Sequence, residues 1–128
     1  MDNPEISVLF ADIVSFTEMS EKISSEKIVG FLNDMFSQFD DLTETYGVEK
    51  IKTIGDSYMV VSGMPVQKED HALTLFNLAK EMIKISAQFK DHNGNPIKLR
   101  IGINSGPAIS GVIGKSKFAF DVWGDTIN

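Results

Sequence analysis

Two aspartates stand out for the company they keep. Asp12 follows the apolar run Val8–Ala11 and precedes Ile13 and Val14, while Asp56 sits in a Gly55-Asp56 pair between two strand-like runs. An isolated aspartate in either setting is ordinarily a helix cap or a turn former, because its carboxylate satisfies nearby backbone amides. Two carboxylates brought to one edge of a sheet have a different use. With backbone carbonyls nearby they make an all-oxygen donor set suited to a hard divalent cation. The amides from Ile13 through Val14, Ser15 and Phe16 to Thr17 add a second feature, an anion nest at the start of a helix beside that pair. Cations next to an anion nest suit phosphate groups.

The surrounding elements decide whether the aspartates can meet. "EISVLFAD" reads as a first strand with Ile6, Val8 and Phe10 on one face. A helix from about Ser25 to Tyr46 carries Ile28, Leu32, Met35, Phe39, Leu42 and Tyr46 on one stripe, and Gly47 is its natural stop. "VEKIKTI" and "SYMVVSG" form a tight hairpin around Gly55-Asp56. A second helix spans roughly Glu69–Lys90, with Leu75, Phe76, Ala79, Met82, Ile83 and Phe89 directed inward. "HNGNP" is a turn. "IKLRIGI" then alternates, with Ile97, Leu99, Ile101 and Ile103 on one side and Lys98 and Arg100 on the other, and "PAISGVIG" is a further strand. The order β-α-β-β-α-β predicts an α+β fold of ferredoxin-like type with an additional hairpin strand, its helices covering the sheet. A helical crossover between the first two strands makes them parallel within one sheet. Their C-terminal ends then share an edge, and Asp12 and Asp56 converge there.

Composition limits the alternatives. The 128 residues are 42% hydrophobic and 23% charged, as expected of one globular domain. A net charge of -6 argues against a nucleic-acid-binding face. With no cysteine, neither a disulfide nor a thiolate metal site is available. No apolar run approaches the ~20 residues that span a bilayer, and no secretory leader is visible. His71 and His92 are far apart and are expected to face solvent as inert residues. "GVIGKS" has the tail of a phosphate-binding P-loop, but Ile109 stands where that motif needs glycine. No histidine pair for zinc and no nucleophile elbow is present.

Four ordered segments carry a resemblance. "VLFADIVSFTEMSE", "EKIKTIGDSYMVVSG", "LRIGINSGPAISGVIG" and "FDVWGDTIN" together resemble the catalytic domain of class III nucleotide cyclases, over about Ile6–Asn128. The resemblance implies metal binding by Asp12 and Asp56 with the Ile13 carbonyl, and triphosphate contact by Ile13–Thr17. Ser15 departs from the glycine common at its position. Lys52 and Asp121 fall on the purine-reading positions, and Asn128 on the ribose-orienting asparagine. A lysine donor suits N1 of adenine and an aspartate acceptor suits its amino group, whereas guanine presents the opposite pattern on that edge.

The resemblance therefore implies conversion of ATP to 3′,5′-cyclic AMP and pyrophosphate, with two Mg²⁺ or Mn²⁺ ions per site, in intracellular signalling. Within the family the site lies between two domains. Because this chain carries residues of both halves, a homodimer with two symmetric sites is expected. The expected setting is a cytoplasmic catalytic domain within a parent protein open to fusion with a sensor or membrane module. The chain stops at Asn128 on the way into another helix, before the family's transition-state arginine, so residues 1–128 read as a catalytic domain incomplete at its C-terminus. The competing readings are a guanylate cyclase and a non-catalytic nucleotide-sensing or dimerisation module.

Overall fold

The computed structural model describes residues 5–63 and 69–107. Strand β1 (Glu5–Ile13) leads through a short helix α1 (Phe16–Lys22) into the long helix α2 (Ser25–Tyr46). The hairpin β2 (Glu49–Ile54) and β3 (Ser57–Ser62) follows, then α3 (His71–Ser86) and β4 (Leu99–Pro107). The four strands form one antiparallel sheet in the order β2-β3-β1-β4. This is the expected mixed α+β arrangement. β1 and β2 do point the same way, as the crossover requires, but β3 lies between them. The further strand expected in "PAISGVIG" lies outside the described residues, apart from Pro107 at the end of β4.

Local chemistry sets the element boundaries. Ser24 caps α2 by accepting the Lys27 N–H at 3.3 Å, and Gly47 ends the helix in the left-handed region at φ 66°. Gly55, at φ 56°, turns the β2–β3 hairpin. The helix α1 was not expected as a separate element. Its seven residues follow the N-cap Ser15, whose φ of 61° is the only positive value for a non-glycine among the described residues. α3 is shorter than expected and ends at Ser86; the chain to Lys90 continues as turns, and Lys90 bridges to Pro96.

The main core lies between the sheet and the helices. It joins Leu9, Ala11 and Ile13 of β1 with Tyr58 and Val60, Met35 and Phe39 of α2, and Leu75, Leu78 and Met82 of α3. Full burial of each such large apolar side chain stabilises by about 1.5–3 kcal/mol before entropy is counted. Three expectations about faces change. β1 is buried on both sides: Ile6 and Val8 are buried, Phe10 is half-buried, and the helix-facing set is the alternate one. On α3, Phe76 and Ile83 face outward at 54% and 50% exposure, while Leu78 turns in. The histidines are not inert solvent groups. His71 Nδ1 lies 2.6 Å from Ser7 Oγ, and the His92 side chain is only 11% exposed.

Candidate functional site

The C-terminal ends of β1 and β2 meet as topology requires. Asp12 lies near the end of β1 and Asp56 in the hairpin tip, and the backbone joins them: the Ile13 N–H donates to Asp56 Oδ2 at 2.9 Å. Both line one pocket of about 340 Å³, together with Ile13, Ser15, Phe16, Thr17 and Arg100. Five of the seven lining residues therefore come from the predicted metal and phosphate segments, and a sixth is Asp56. The seventh, Arg100, was missed as a site residue. Strand register explains its place: Asp12 is paired with Arg100 across β1 and β4, so the two side chains share one face.

The electrostatics are unbalanced. Arg100 Nε approaches Asp12 Oδ1 to 3.2 Å, but that oxygen is buried and has no aligned hydrogen-bond donor. Burial raises the Asp12 carboxyl above its ordinary range; Arg100 pulls it back, and the nearby charge of Asp56 pushes it up again. Two adjacent carboxylates faced by one guanidinium leave a net negative charge at the pocket, which a cation can balance. Among the described residues no third histidine, aspartate or glutamate joins the group. The donors present fit a small hard ion that takes its remaining ligands from backbone carbonyl, water and phosphate oxygen.

The expected anion nest is narrower than the sequence suggested. The Ile13 N–H is engaged by Asp56, and the Val14 N–H donates to the Lys98 carbonyl at 2.9 Å. Ser15, Phe16 and Thr17, the rest of the expected nest, line the pocket. The loop between α3 and β4 supplies the brace. Asp91 accepts from the Asn93 and Asn95 amides at 2.8 and 2.9 Å, and these bonds hold its carboxyl below the usual range, the Asn95 bond most strongly. His92 Nε2 lies 3.8 Å from Glu18 on α1. The α3–β4 loop thus holds the start of this segment through the Val14–Lys98 bond and lies beside α1 at His92, a long-range support with no local sequence signal.

A β-bulge decides where Lys52 goes. Lys50 pairs with Val60 and Lys52 with Met59, leaving Ile51 as the extra residue in β2. In a regular strand Lys50 and Lys52 would share a face. With the extra residue they part. Lys50 shares the helix-side face with Val60 and forms an ion pair with Asp40 at 3.0 Å. Lys52 shares its face with Met59, and across the sheet with Phe10 and Asp12. The remaining predicted residues, Asp121 and Asn128, lie outside the described residues.

A model of the adenylate and guanylate cyclase catalytic domain matches residues 2–128. The chain belongs to that family. This cyclase domain is 49% identical to an adenylate cyclase of Mycobacterium tuberculosis over 97% of its own length, and spans 28% of that relative. Its fold matches the monomeric guanylyl cyclase domain of the RhoGC fusion protein from Blastocladiella emersonii with a TM-score of 0.78 at 36% identity, covering 89% of this chain and 67% of that one. It also matches the catalytic core of a rhodopsin-guanylyl cyclase with converted specificity, solved in complex with ATPαS. There the TM-score is 0.75 at 37% identity, covering 84% of this chain and 58% of that one. Relatives of both substrate classes thus share the cyclase domain's fold. Among the described residues, no helix is long and apolar enough to cross a membrane.

Proposed function

We propose that this domain is the catalytic part of an adenylate cyclase, forming 3′,5′-cyclic AMP and pyrophosphate from ATP at a homodimer interface. The observation that carries the reading is the Asp12–Asp56 convergence, fixed by the Ile13 N–H and opening onto one pocket that Ser15, Phe16 and Thr17 also line. In this reading Asp12 and Asp56, with the Ile13 carbonyl, hold two Mg²⁺ or Mn²⁺ ions. When bound, such a pair activates the ribose 3′-hydroxyl and neutralises the departing pyrophosphate. The Ser15–Thr17 amides and Arg100 orient the phosphates and offset their charge. Lys52 donates to adenine N1, Asp121 accepts from the adenine amino group, and Asn128 orients the ribose.

The base assignment rests on hydrogen-bond polarity: guanine would leave Lys52 facing a donor and Asp121 facing an acceptor. The converted-specificity relative holding ATPαS supports the idea that the choice of base can change while the fold stays the same. Activity with MgATP, MnATP and GTP, measured on the chain alone and extended at its C-terminus by the rest of its reading frame, tests the proposal. The expected result is cyclic AMP from ATP, abolished by Asp12→Ala with Asp56→Ala. The pair Lys52→Glu with Asp121→Cys should lower ATP use and raise GTP use. A preference of the unaltered protein for GTP would overturn the base assignment, and equal inactivity of the extended protein and its double-aspartate variant would overturn the catalytic one.

A further inference from the structure

We propose that Arg100 acts as a guard on the Asp12–Asp56 pair, holding it against a divalent ion that arrives alone and making ion uptake depend on a phosphate ligand. The inference rests on the reading of that pair as the metal site. Three observations carry it. Strand pairing sets Arg100 directly opposite Asp12, so its position belongs to the sheet rather than to a chance side-chain excursion. Its Nε stands 3.2 Å from Asp12 Oδ1, the buried oxygen with no aligned donor that an ion would need. The Arg100 side chain is 66% exposed and that of Asp12 only 22%, so the guanidinium can swing away while the carboxylate stays.

Among the described residues lining the pocket, Arg100 is the only cation. Without an ion it offsets two adjacent carboxylates that would otherwise repel each other. A divalent ion entering alone must displace the guanidinium from Oδ1 and sit beside its positive charge. A phosphate changes the balance. Its oxygens offer the guanidinium a two-pronged partner that Oδ1 does not provide, and the lone pairs of Asp12 are released. Metal and phosphate then favour each other's binding, and by linkage the coupling is the same in both directions.

Mn²⁺ titration of the chain, followed by electron paramagnetic resonance at pH 8, with and without a non-hydrolysable ATP analogue, tests the guard without reading activity. Arg100→Met should tighten Mn²⁺ binding in the absence of nucleotide by about tenfold, the scale of ordinary site–site coupling, and should shrink the gain that the analogue brings. Arg100→Lys keeps the charge and should stay near the unaltered protein. Asp12→Asn with Asp56→Asn should abolish binding in either background. If the unaltered chain binds Mn²⁺ through the aspartates and Arg100→Met leaves that affinity unchanged or weaker, the guard fails and the metal pair stands. If Arg100→Lys tightens binding as much as Arg100→Met, the charge argument fails. If neither the unaltered chain nor Arg100→Met binds Mn²⁺ with the analogue present, the guard and the metal reading fall together.

Discussion

The two ends of β1 bury polar groups in opposite ways. At one end the fully buried Ser7 shares hydrogen bonds with His71 Nδ1 at 2.6 Å and Ser105 Oγ at 2.5 Å, closing a cluster without carboxylates across β1, α3 and β4. At the other end Asp12 presents a buried oxygen with a nearby charge but no aligned donor. Neutral hydroxyls can be satisfied by one another at small net cost, whereas a second carboxylate only adds to the charge that needs an outside partner. One strand therefore begins at a structural lock and ends at the pocket that carries the proposed site.

Substitutions should separate the two ends, with the largest effect at the open one. Asp12→Asn should cut cyclic nucleotide formation by about 10²–10³-fold, the scale seen when one group aimed at developing charge is removed. A product assay on the extended protein reads this directly, and retention of most activity would erase the contrast. Ser7→Ala should instead destabilise the fold by about 1–3 kcal/mol, because it strips a buried partner from His71 and Ser105. Denaturant melts would show the loss, with Mn²⁺ affinity unchanged.

The pH dependence of metal-free stability sharpens the comparison. Asp12 has a raised carboxyl in the folded state, so the folded chain holds that proton more tightly than the unfolded chain. Its stabilising contribution is complete below the ordinary carboxylate pKa and is lost as pH rises through the raised value. Asp12→Asn should flatten that slope and leave the metal-free protein more stable at neutral pH; Ser7→Ala should leave the slope in place. The smallest effect is expected at Ser15. Its left-handed backbone favours glycine, so Ser15→Gly should stabilise the chain by about 0.5 kcal/mol, the relief of strain being offset in part by glycine's entropy. A shift in thermal midpoint measures it.

How far the sequence alone led depends on the range of the interaction involved. α2 was legible to its termini because its stripe, Ser24 cap and Gly47 stop are all local. The meeting of Asp12 and Asp56 was legible because a crossover fixes strand direction whatever the neighbouring order. The exposed face of α3 was misread because Phe76 and Ile83 satisfy the same periodicity as the buried set, and only the packing partners distinguish them. The burial of β1 on both faces was missed for a similar reason: alternation locates one apolar face and says nothing of what covers the other.

Residue type and spacing, by themselves, determined the order of the described strands and the two long helices, the hairpin turn and the pair of acids at one sheet edge, since each depends on backbone propensity and chain direction. Only the tertiary structure decided that Arg100 stands opposite Asp12, that Ile51 is the extra residue placing Lys52 on the face of Met59, and that Asp56 and Lys98 engage two of the five expected amides. Those facts come from register and from contacts between distant segments. A shift of one residue reverses every side chain along a strand, and nothing in the local sequence fixes that shift.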